Sequence, residues 1–203
     1  MKKITDIKEQ LKNKKRVSVY LDGEFYCGLD IITALKYRLK VGEFIDENRL
    51  IEIQYEAELQ ACFDRALNFI SSSIKTQKQI QDKLKKLGYL DEIIEKVIDK
   101  LKSYGYVCDS DYAKRFTNTY KSTKGKRLIK LELMKKGVKD IDAQTALNEI
   151  ESQQDACNTI ADKYLKNKEK DKKNILKCYK YLLSKGFDYD EAKQAVDRYE
   201  IED

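Results

Sequence analysis

Three stretches of the sequence end in the same way: IQDKLKKLG at 80–88, IKLELMKKG at 129–137 and CYKYLLSKG at 178–186. Their final glycines are 49 residues apart in both steps, and a leucine lies four positions before each glycine. An A-x-x-[FY] pattern stands upstream of each stretch, at 66–69, 113–116 and 161–164. Similarity at a fixed period is typical of repeat proteins, whose short units stack because each one alone buries little surface. The sequence therefore predicts three tandem repeats.

Each repeat is predicted to contain three helices. In the first repeat, apolar residues recur at steps of three and four from Leu59 to Ile70, which places them on one face of an α-helix. Thr76 and Gln79 then form a T-x-x-Q capping box that starts a second helix, and Gly88 suits the left-handed position that ends it. The third helix carries Ile93, Ile94, Val97, Ile98 and Leu101. Replacing such a glycine with alanine is expected to destabilise the protein by about 1 kcal/mol.

The first 56 residues follow a different pattern. RVSVYL at 16–21 and EFYCGL at 24–29 flank Asp22-Gly23, which predicts a β-hairpin with a type I′ turn. A short helix near residues 31–37 and another from about Glu47 follow, and strands are expected only before residue 45. The predicted fold is mainly α, with three three-helix repeats forming an elongated helical array after a small hairpin-containing module. The predicted boundaries are 1–56 for the module and 57–107, 108–152 and 153–203 for the repeats.

Several signals of enzymes are missing from the sequence. The chain has no histidine, which is the commonest general base and metal ligand, and no Gly-rich phosphate-binding motif. Its five cysteines are widely spaced without a CxxC, so we interpret Cys62, Cys157 and Cys178 as core side chains rather than disulfide or zinc partners. No run approaches the roughly 18 apolar residues that are needed to cross a membrane. These features favour a non-enzymatic, cytoplasmic protein without a cofactor.

The net charge of +6 is not spread evenly along the chain. Seven basic residues follow Asp111 with no acidic residue before Glu132, and we call them the basic run: Lys114, Arg115, Lys121, Lys124, Lys126, Arg127 and Lys130. Such a run can approach phosphates or an acidic protein surface, but it is also typical of a solvated helix face followed by a floppy lysine loop. A second lysine-rich run, from Lys163 to Lys173, is diluted by acidic residues, and we interpret it as a solvated loop.

The second repeat carries the motifs of a known family. A D-x-x-[YF]-A segment at Asp109, Tyr112 and Ala113 precedes the pattern G-x-x-x-I-x-x-E-L-x-x-K-G-[IV], which is matched by Gly125, Ile129, Glu132, Leu133, Lys136, Gly137 and Val138. Together with YLDGEFYCG, KLKKLGY and KSYGYVCDSDYA elsewhere, these motifs resemble the RecX family, regulators of the RecA recombinase, over nearly the whole chain. One departure is VCDS at 107–110, where family members often have two adjacent acids.

The resemblance implies three three-helix repeats without catalytic activity. It also implies binding in the groove of the RecA filament on single-stranded DNA, with inhibition of strand exchange, ATP hydrolysis and the co-protease activity behind the SOS response. On this hypothesis the protein is a monomer that does not bind membranes, its partners are the RecA filament and single-stranded DNA, and the basic run is the partner-binding site. Two other classes stay open: a helical repeat protein that binds single-stranded or duplex DNA without RecA, and a metal-dependent enzyme that uses Asp109, Asp111 and Glu132.

Overall fold

The structure, a computed structural model, describes residues 1–11 and 13–199. Within these residues it contains a four-stranded sheet near the N-terminus and ten helices. The fold is mainly α, with a small β-containing module before three three-helix repeats, as the sequence predicts. The chain forms two compact units, one of residues 1–69 with 84–99 and the other of residues 70–83 with the chain from residue 100 onward.

The sheet has antiparallel strands in the order β3-β2-β1-β4. Their bounds are β1 Lys2–Gln10, β2 Asn13–Leu21, β3 Glu24–Asp30 and β4 Phe44–Ile45. Strands β2 and β3 form the predicted hairpin, and φ angles of 47° at Asp22 and 91° at Gly23 suit a type I′ turn. One face of the sheet is covered by α1 and α2, and this core consists of Ile4, Val17, Val19, Leu21, Cys27, Leu29, Ala34, Leu50 and Ile53.

Strand β1 is not predicted from the sequence. Its residues, KKITDIKEQ, are mostly charged or polar, and among them only Ile4 is buried. The segment is a strand because it pairs with β2 on one side and with β4 on the other. These pairings are tertiary contacts, which the local sequence pattern does not show.

Nine helices follow the sheet within the described residues, three for each repeat, as predicted. After the short α1 (Ile31–Lys36), their bounds are α2 Glu47–Ile70, α3 Gln77–Lys86, α4 Asp91–Ser103, α5 Asp109–Tyr120, α6 Lys126–Lys135, α7 Asp140–Asn148, α8 Gln154–Leu165, α9 Lys172–Ser184 and α10 Tyr189–Asp197. One expectation needs correction, because the helix from Glu47 and the first helix of the first repeat are one helix of 24 residues. Neither glycine nor proline occurs between 47 and 70 to interrupt it.

The second and third repeats each have a core of their own. In the second repeat it is formed by Ala113, Ile129, Leu133, Val138, Ala143, Ala146, Leu147 and Ile150. In the third repeat it includes Cys157, Ala161, Leu165, Ile175, Cys178, Leu182, Phe187, Ala192, Ala195 and Val196. Cys157 and Cys178 are fully buried there, and Cys62 is fully buried on α2, so these cysteines are core side chains as predicted.

The three repeat glycines end the second helix of each repeat. Gly88, Gly137 and Gly186 follow α3, α6 and α9 with φ angles of 89°, 89° and 88°, so this prediction is confirmed. Glycine adopts this left-handed conformation without the steric cost that a Cβ atom brings. The capping box is confirmed too, since Thr76 N–H donates to Gln79 Oε1 at 3.0 Å and Gln79 N–H donates to Thr76 Oγ1 at 3.2 Å.

The second helices meet end to start at two places, which we call the inter-repeat junctions. At the first junction α6 ends on the start of α3, and the Thr76 hydroxyl donates to the Lys136 carbonyl oxygen at 2.6 Å. At the second junction α9 ends on the start of α6. There Gly125 N–H donates to the Lys185 carbonyl oxygen at 2.9 Å, and Arg127 N–H donates to that of Gly186 at 3.2 Å. Each junction therefore satisfies free carbonyls of one helix end with donors at the start of another helix.

The glycines at the junctions leave no room for a side chain. A Cβ atom on Gly186 would lie 2.4 Å from both the Cβ and the backbone nitrogen of Leu128. A Cβ atom on Gly137 would lie 2.4 Å from the Cβ of Lys78, and one on Gly125 would lie 2.1 Å from the Gly186 carbonyl carbon. At Gly88, by contrast, a Cβ atom would meet nothing within 4 Å. Two of the three repeat glycines therefore sit in close contacts between repeats, and Gly88 does not.

Candidate partner-binding surface

The basic run lies on α5, on α6 and on the loop between them. This loop, residues 121–125, is held in place by Gln153, whose side chain is buried with 2% exposure. The Gln153 amide nitrogen donates to the carbonyl oxygens of Lys121 at 2.6 Å and Lys124 at 2.9 Å. Within the described residues its Oε1 has no hydrogen-bond partner. The loop is thus fixed at both ends by one buried side chain, and its conformation is set by the fold.

Four lysines of the run have partners that stand after the run in the sequence. Lys114 pairs with Glu149 at 2.7 Å, and this hydrogen bond raises the pKa of the lysine. The other three contacts are Lys124 with Glu132 at 2.6 Å, Lys130 with Asp140 at 2.8 Å and the Lys126 ammonium with the Ile150 carbonyl oxygen at 2.7 Å. Folding brings these acceptors to the basic run, so its free positive charge is smaller than the sequence indicates.

Arg115, Lys121 and Arg127 remain exposed. In residues 1–11 and 13–199, no ion pair or hydrogen bond involves the side chains of Arg115 and Lys121. The Arg127 guanidinium carbon lies 5.4 Å from the centre of the Tyr189 ring, which holds it beside the third repeat. These three cations are the part of the basic run that is best placed to meet a partner.

A cleft beside the same loop adds further cations and two aromatic rings. It has a volume of about 320 Å³, and we call it the tyrosine–lysine cleft; its lining is Thr123, Ile160, Lys163, Tyr164, Tyr181 and Lys185. The rings of Tyr164 and Tyr181 stack with centroids 4.8 Å apart. The Lys168 ammonium lies 3.1 Å from the Tyr164 centroid, and that of Lys185 lies 5.2 Å from the Tyr181 centroid. The loop residue Thr123 makes the cleft continuous with the basic run.

The sequence patterns do not predict the tyrosine–lysine cleft, although the repeat contains a signal for it. They place Lys163 in a solvated loop and indicate no binding role for a tyrosine. Tyr164, however, ends the A-x-x-[FY] pattern, and Lys185 directly precedes the repeat glycine. The equivalent residues of the second repeat are Phe116 and Lys136, and the Lys136 ammonium lies 5.7 Å from the Phe116 centroid. In the third repeat Tyr164 and Lys185 line the same cleft, so the repeat brings this aromatic position and this lysine position close together in both cases.

Two of the three carboxylates considered for a metal site, Asp109 and Glu132, bind other groups. Asp109 Oδ1 accepts a hydrogen bond from Gln77 N–H at 2.8 Å, and Glu132 pairs with Lys124. In the part of the chain that the structure describes, no three His, Cys, Asp or Glu side chains come together as metal ligands do. Over the same residues, every helix is too short or too polar to span a bilayer.

Sequence comparison matches the chain to one family along most of its length. The Regulatory protein RecX N-terminal domain matches residues 2–46. The first, second and third three-helix domains of RecX match residues 62–101, 109–147 and 151–196.

Individual relatives and solved structures agree with this result. The chain is 34% identical to Regulatory protein RecX of Clostridium tetani, over 97% of this chain and 94% of the relative. It is 34% identical to Regulatory protein RecX of Bacillus subtilis, over 98% of this chain and 78% of the relative. A crystal structure of regulatory protein RecX is similar with a TM-score of 0.71 and 26% identity, over 97% of this chain and 100% of that one. A crystal structure of RecX from Lactobacillus salivarius is similar with a TM-score of 0.64 and 30% identity, over 70% of this chain and 96% of that one. The protein described here belongs to the RecX family of regulatory proteins.

Proposed function

We propose that the protein binds the RecA filament on single-stranded DNA and inhibits its strand-exchange, ATPase and co-protease activities. It does so by binding alone, as a cytoplasmic monomer without a catalytic step or a cofactor. The observation that carries the proposal is membership of the RecX family along nearly the whole chain, with all three three-helix domains matched. The regulatory names of the relatives agree with a binding protein rather than an enzyme.

The exposed cations of the basic run support a contact with a nucleoprotein. A guanidinium group can hold a phosphate or a carboxylate through two hydrogen bonds, so Arg115 and Arg127 are the residues best suited to form it. Lys121 adds a point charge beside them. Charges at the rim of an interface mainly speed association, and each contributes little alone. We therefore assign the contact to the group and to no single residue.

The buried contacts of Gln153 support the same assignment. A loop that is already ordered before binding loses less conformational entropy when its partner arrives. Because Gln153 holds the carbonyls of Lys121 and Lys124, the side chains of the loop project from a fixed backbone. The fold thus prepares the basic run for a partner of fixed shape, such as a filament groove.

A second candidate is direct binding of single-stranded DNA without RecA, which is favoured by the tyrosine–lysine cleft. Lysines beside stacked aromatic rings are typical of surfaces that track a phosphate backbone. Binding of this kind loses affinity steeply as salt rises, because condensed counterions are released. A steep salt dependence with naked DNA, at the protein concentrations that inhibit RecA, would support this candidate.

The test is ATP hydrolysis by RecA on single-stranded DNA while this protein is titrated in. The proposal expects the rate to fall to a low plateau, with equal inhibition when the DNA is doubled at constant RecA. Relief of inhibition by the added DNA would instead indicate that the protein only sequesters DNA. An unchanged ATPase rate at saturating protein, with the helical signal intact, would refute inhibition of RecA and leave direct DNA binding to be judged with naked DNA.

A further inference from the structure

The two inter-repeat junctions show what the end of a second helix in this protein binds. At both, the chain leaves the helix through a glycine with φ near 89°, and the carbonyl just before that glycine accepts a hydrogen bond. At both, the donor belongs to the first residues of another helix, namely the Thr76 hydroxyl or the Gly125 N–H. The bound element is therefore a helix start whose cap is small or carries a hydroxyl group.

The end of α3 is a third copy of this arrangement, and it is open. Gly88 has the same φ of 89°, yet a Cβ atom placed on it would meet nothing within 4 Å. Among residues 1–11 and 13–199, no hydrogen bond reaches the carbonyl oxygens of Leu87 and Gly88. The backbone geometry of the two occupied helix ends is present here without an occupant among the described residues of this chain.

The side chains around this end differ from those at the occupied ends. Directly before the glycine stands Leu87, where the other repeats have Lys136 and Lys185. Two positions after the glycine stands Leu90, where the others have Lys139 and Asp188. Leu87 is 49% exposed and Leu90 is 67% exposed. Single exposed leucines are ordinary, but two that flank an open helix end, in place of charged residues, form an apolar rim around free carbonyls.

We propose that the end of α3, formed by Leu87, Gly88 and Leu90, is a docking site for the start of a helix on the partner protein. That helix has glycine, serine or threonine as its N-cap, which donates to the Leu87 carbonyl oxygen as Thr76 and Gly125 donate at the junctions. It carries apolar residues in its first turn, which cover the two leucines. The inference rests on the proposed function, because the partner that presents this helix is a subunit of the RecA filament.

A second copy of this chain fits the site poorly. The junctions already use the starts of two second helices, α3 and α6. The start of the remaining second helix, α9, has Asp171 as its N-cap. The Asp171 carboxylate accepts a hydrogen bond from Asn174 N–H at 2.7 Å, so it does not donate as the Thr76 hydroxyl does. The Cβ atom of Asp171 also prevents the close approach that Gly125 makes, where a Cβ atom would lie 2.1 Å from the Gly186 carbonyl carbon. Lysines flank it at 170, 172 and 173, and they would face the two leucines.

The test exchanges the two leucines for the residues that the third repeat has at the same positions. The variant Leu87→Lys/Leu90→Asp keeps the net charge, and both residue types are compatible with this helix end because Lys185 and Asp188 occupy it in the third repeat. The matched control is Leu176→Lys/Ile141→Asp, which replaces leucine and isoleucine that are 52% and 69% exposed on α9 and α7. Circular dichroism verifies that both variants are folded, and size-exclusion chromatography compares their oligomeric state with the parent.

Binding of each protein to RecA filaments on single-stranded DNA is measured by fluorescence anisotropy. We expect the exchange variant to bind about tenfold more weakly, which is the loss of one moderate interface hot spot, and the control to bind like the parent. Equal binding by the exchange variant and the parent overturns the docking site and leaves the proposed function standing. Absence of filament binding by the parent overturns both. A parent dimer that the exchange dissociates, with filament binding unchanged, overturns the inference in favour of a second copy as the occupant.

Discussion

Replacement of Gly186 by alanine tests the inter-repeat junctions most directly, and Gly88→Ala is its internal control. Both glycines have positive φ, so alanine at either position costs about 1–2 kcal/mol for the left-handed backbone alone. At Gly88 nothing else is added, because no atom lies within 4 Å of the new methyl group. We therefore expect Gly88→Ala to lower the free energy of unfolding by that amount only.

At Gly186 the methyl group also collides with the next helix. It would lie 2.4 Å from the backbone nitrogen and the Cβ of Leu128, and neither atom moves by side-chain rotation. The start of α6 must then withdraw from the end of α9, which breaks the bonds from Gly125 N–H and Arg127 N–H. Each buried group left unpaired costs about 1–3 kcal/mol. The free energy of unfolding should therefore fall by at least about 3 kcal/mol, counting the backbone term.

Urea unfolding followed by far-UV circular dichroism measures both variants against the parent. Because repeats that lose an interface can unfold separately, an additional early transition in Gly186→Ala would also agree with a broken junction. The outcome that contradicts the reasoning is an equal loss of stability in the two variants with a single unchanged transition. Such a result would mean that the contact between α9 and α6 relaxes without cost, and that the glycine is needed for φ alone.

Four further predictions concern the binding surface and the cysteines. Reversal of the three exposed cations, Arg115→Glu/Lys121→Glu/Arg127→Glu, should weaken inhibition of the RecA ATPase by at least about tenfold, and more strongly at low salt. The same reversal at Lys166, Lys172 and Lys173 should have little effect. Equal effects of the two reversals would show that the basic run is only a solvated face. Gln153→Leu should lower the free energy of unfolding in urea by about 1–3 kcal/mol, because the Lys121 and Lys124 carbonyls lose their buried donor. It should also weaken filament binding. Unchanged stability would mean that water replaces the amide. A thiol reagent at pH near 8 should modify Cys108 alone in the native protein and all five cysteines after denaturation, because only Cys108 is exposed. Burial raises the pKa of Cys27 and Cys62 to about 11 and that of Cys157 to about 12. It raises the pKa of Cys178 as well. Since these thiols keep their protons in the native state and ionise near their ordinary pKa of 9.0 when unfolded, the free energy of unfolding should fall as the pH rises above about 9. Rapid native modification of more than one thiol would contradict the burial.

The features that sequence patterns predicted are those that depend on neighbours along the chain. The capping box of Thr76 and Gln79, the hairpin turn at Asp22-Gly23 and the three helix-ending glycines all act within a few residues of themselves. Strand β1 depends instead on pairing with β2 and β4, and its charged sequence conceals it. The partners of the basic run are hidden in the sequence for the same reason, because Glu149 and Asp140 reach Lys114 and Lys130 only through the fold.

The second junction links the fold of this protein to its proposed binding surface. The Lys185 carbonyl oxygen accepts the Gly125 N–H at the start of α6, while the Lys185 ammonium lies in the tyrosine–lysine cleft. Gly125 in turn is the last residue of the loop whose Lys121 and Lys124 carbonyls are held by Gln153. The exposed cations of the second repeat and the cleft of the third repeat are therefore positioned by one set of backbone contacts. It follows that the spacing between Arg127 and Lys185 is fixed by glycines, since any Cβ atom at Gly125 or Gly186 would separate the two repeats and move these cations apart. Gly125 and Gly186 thus also determine how the cations of the second and third repeats are arranged on the surface.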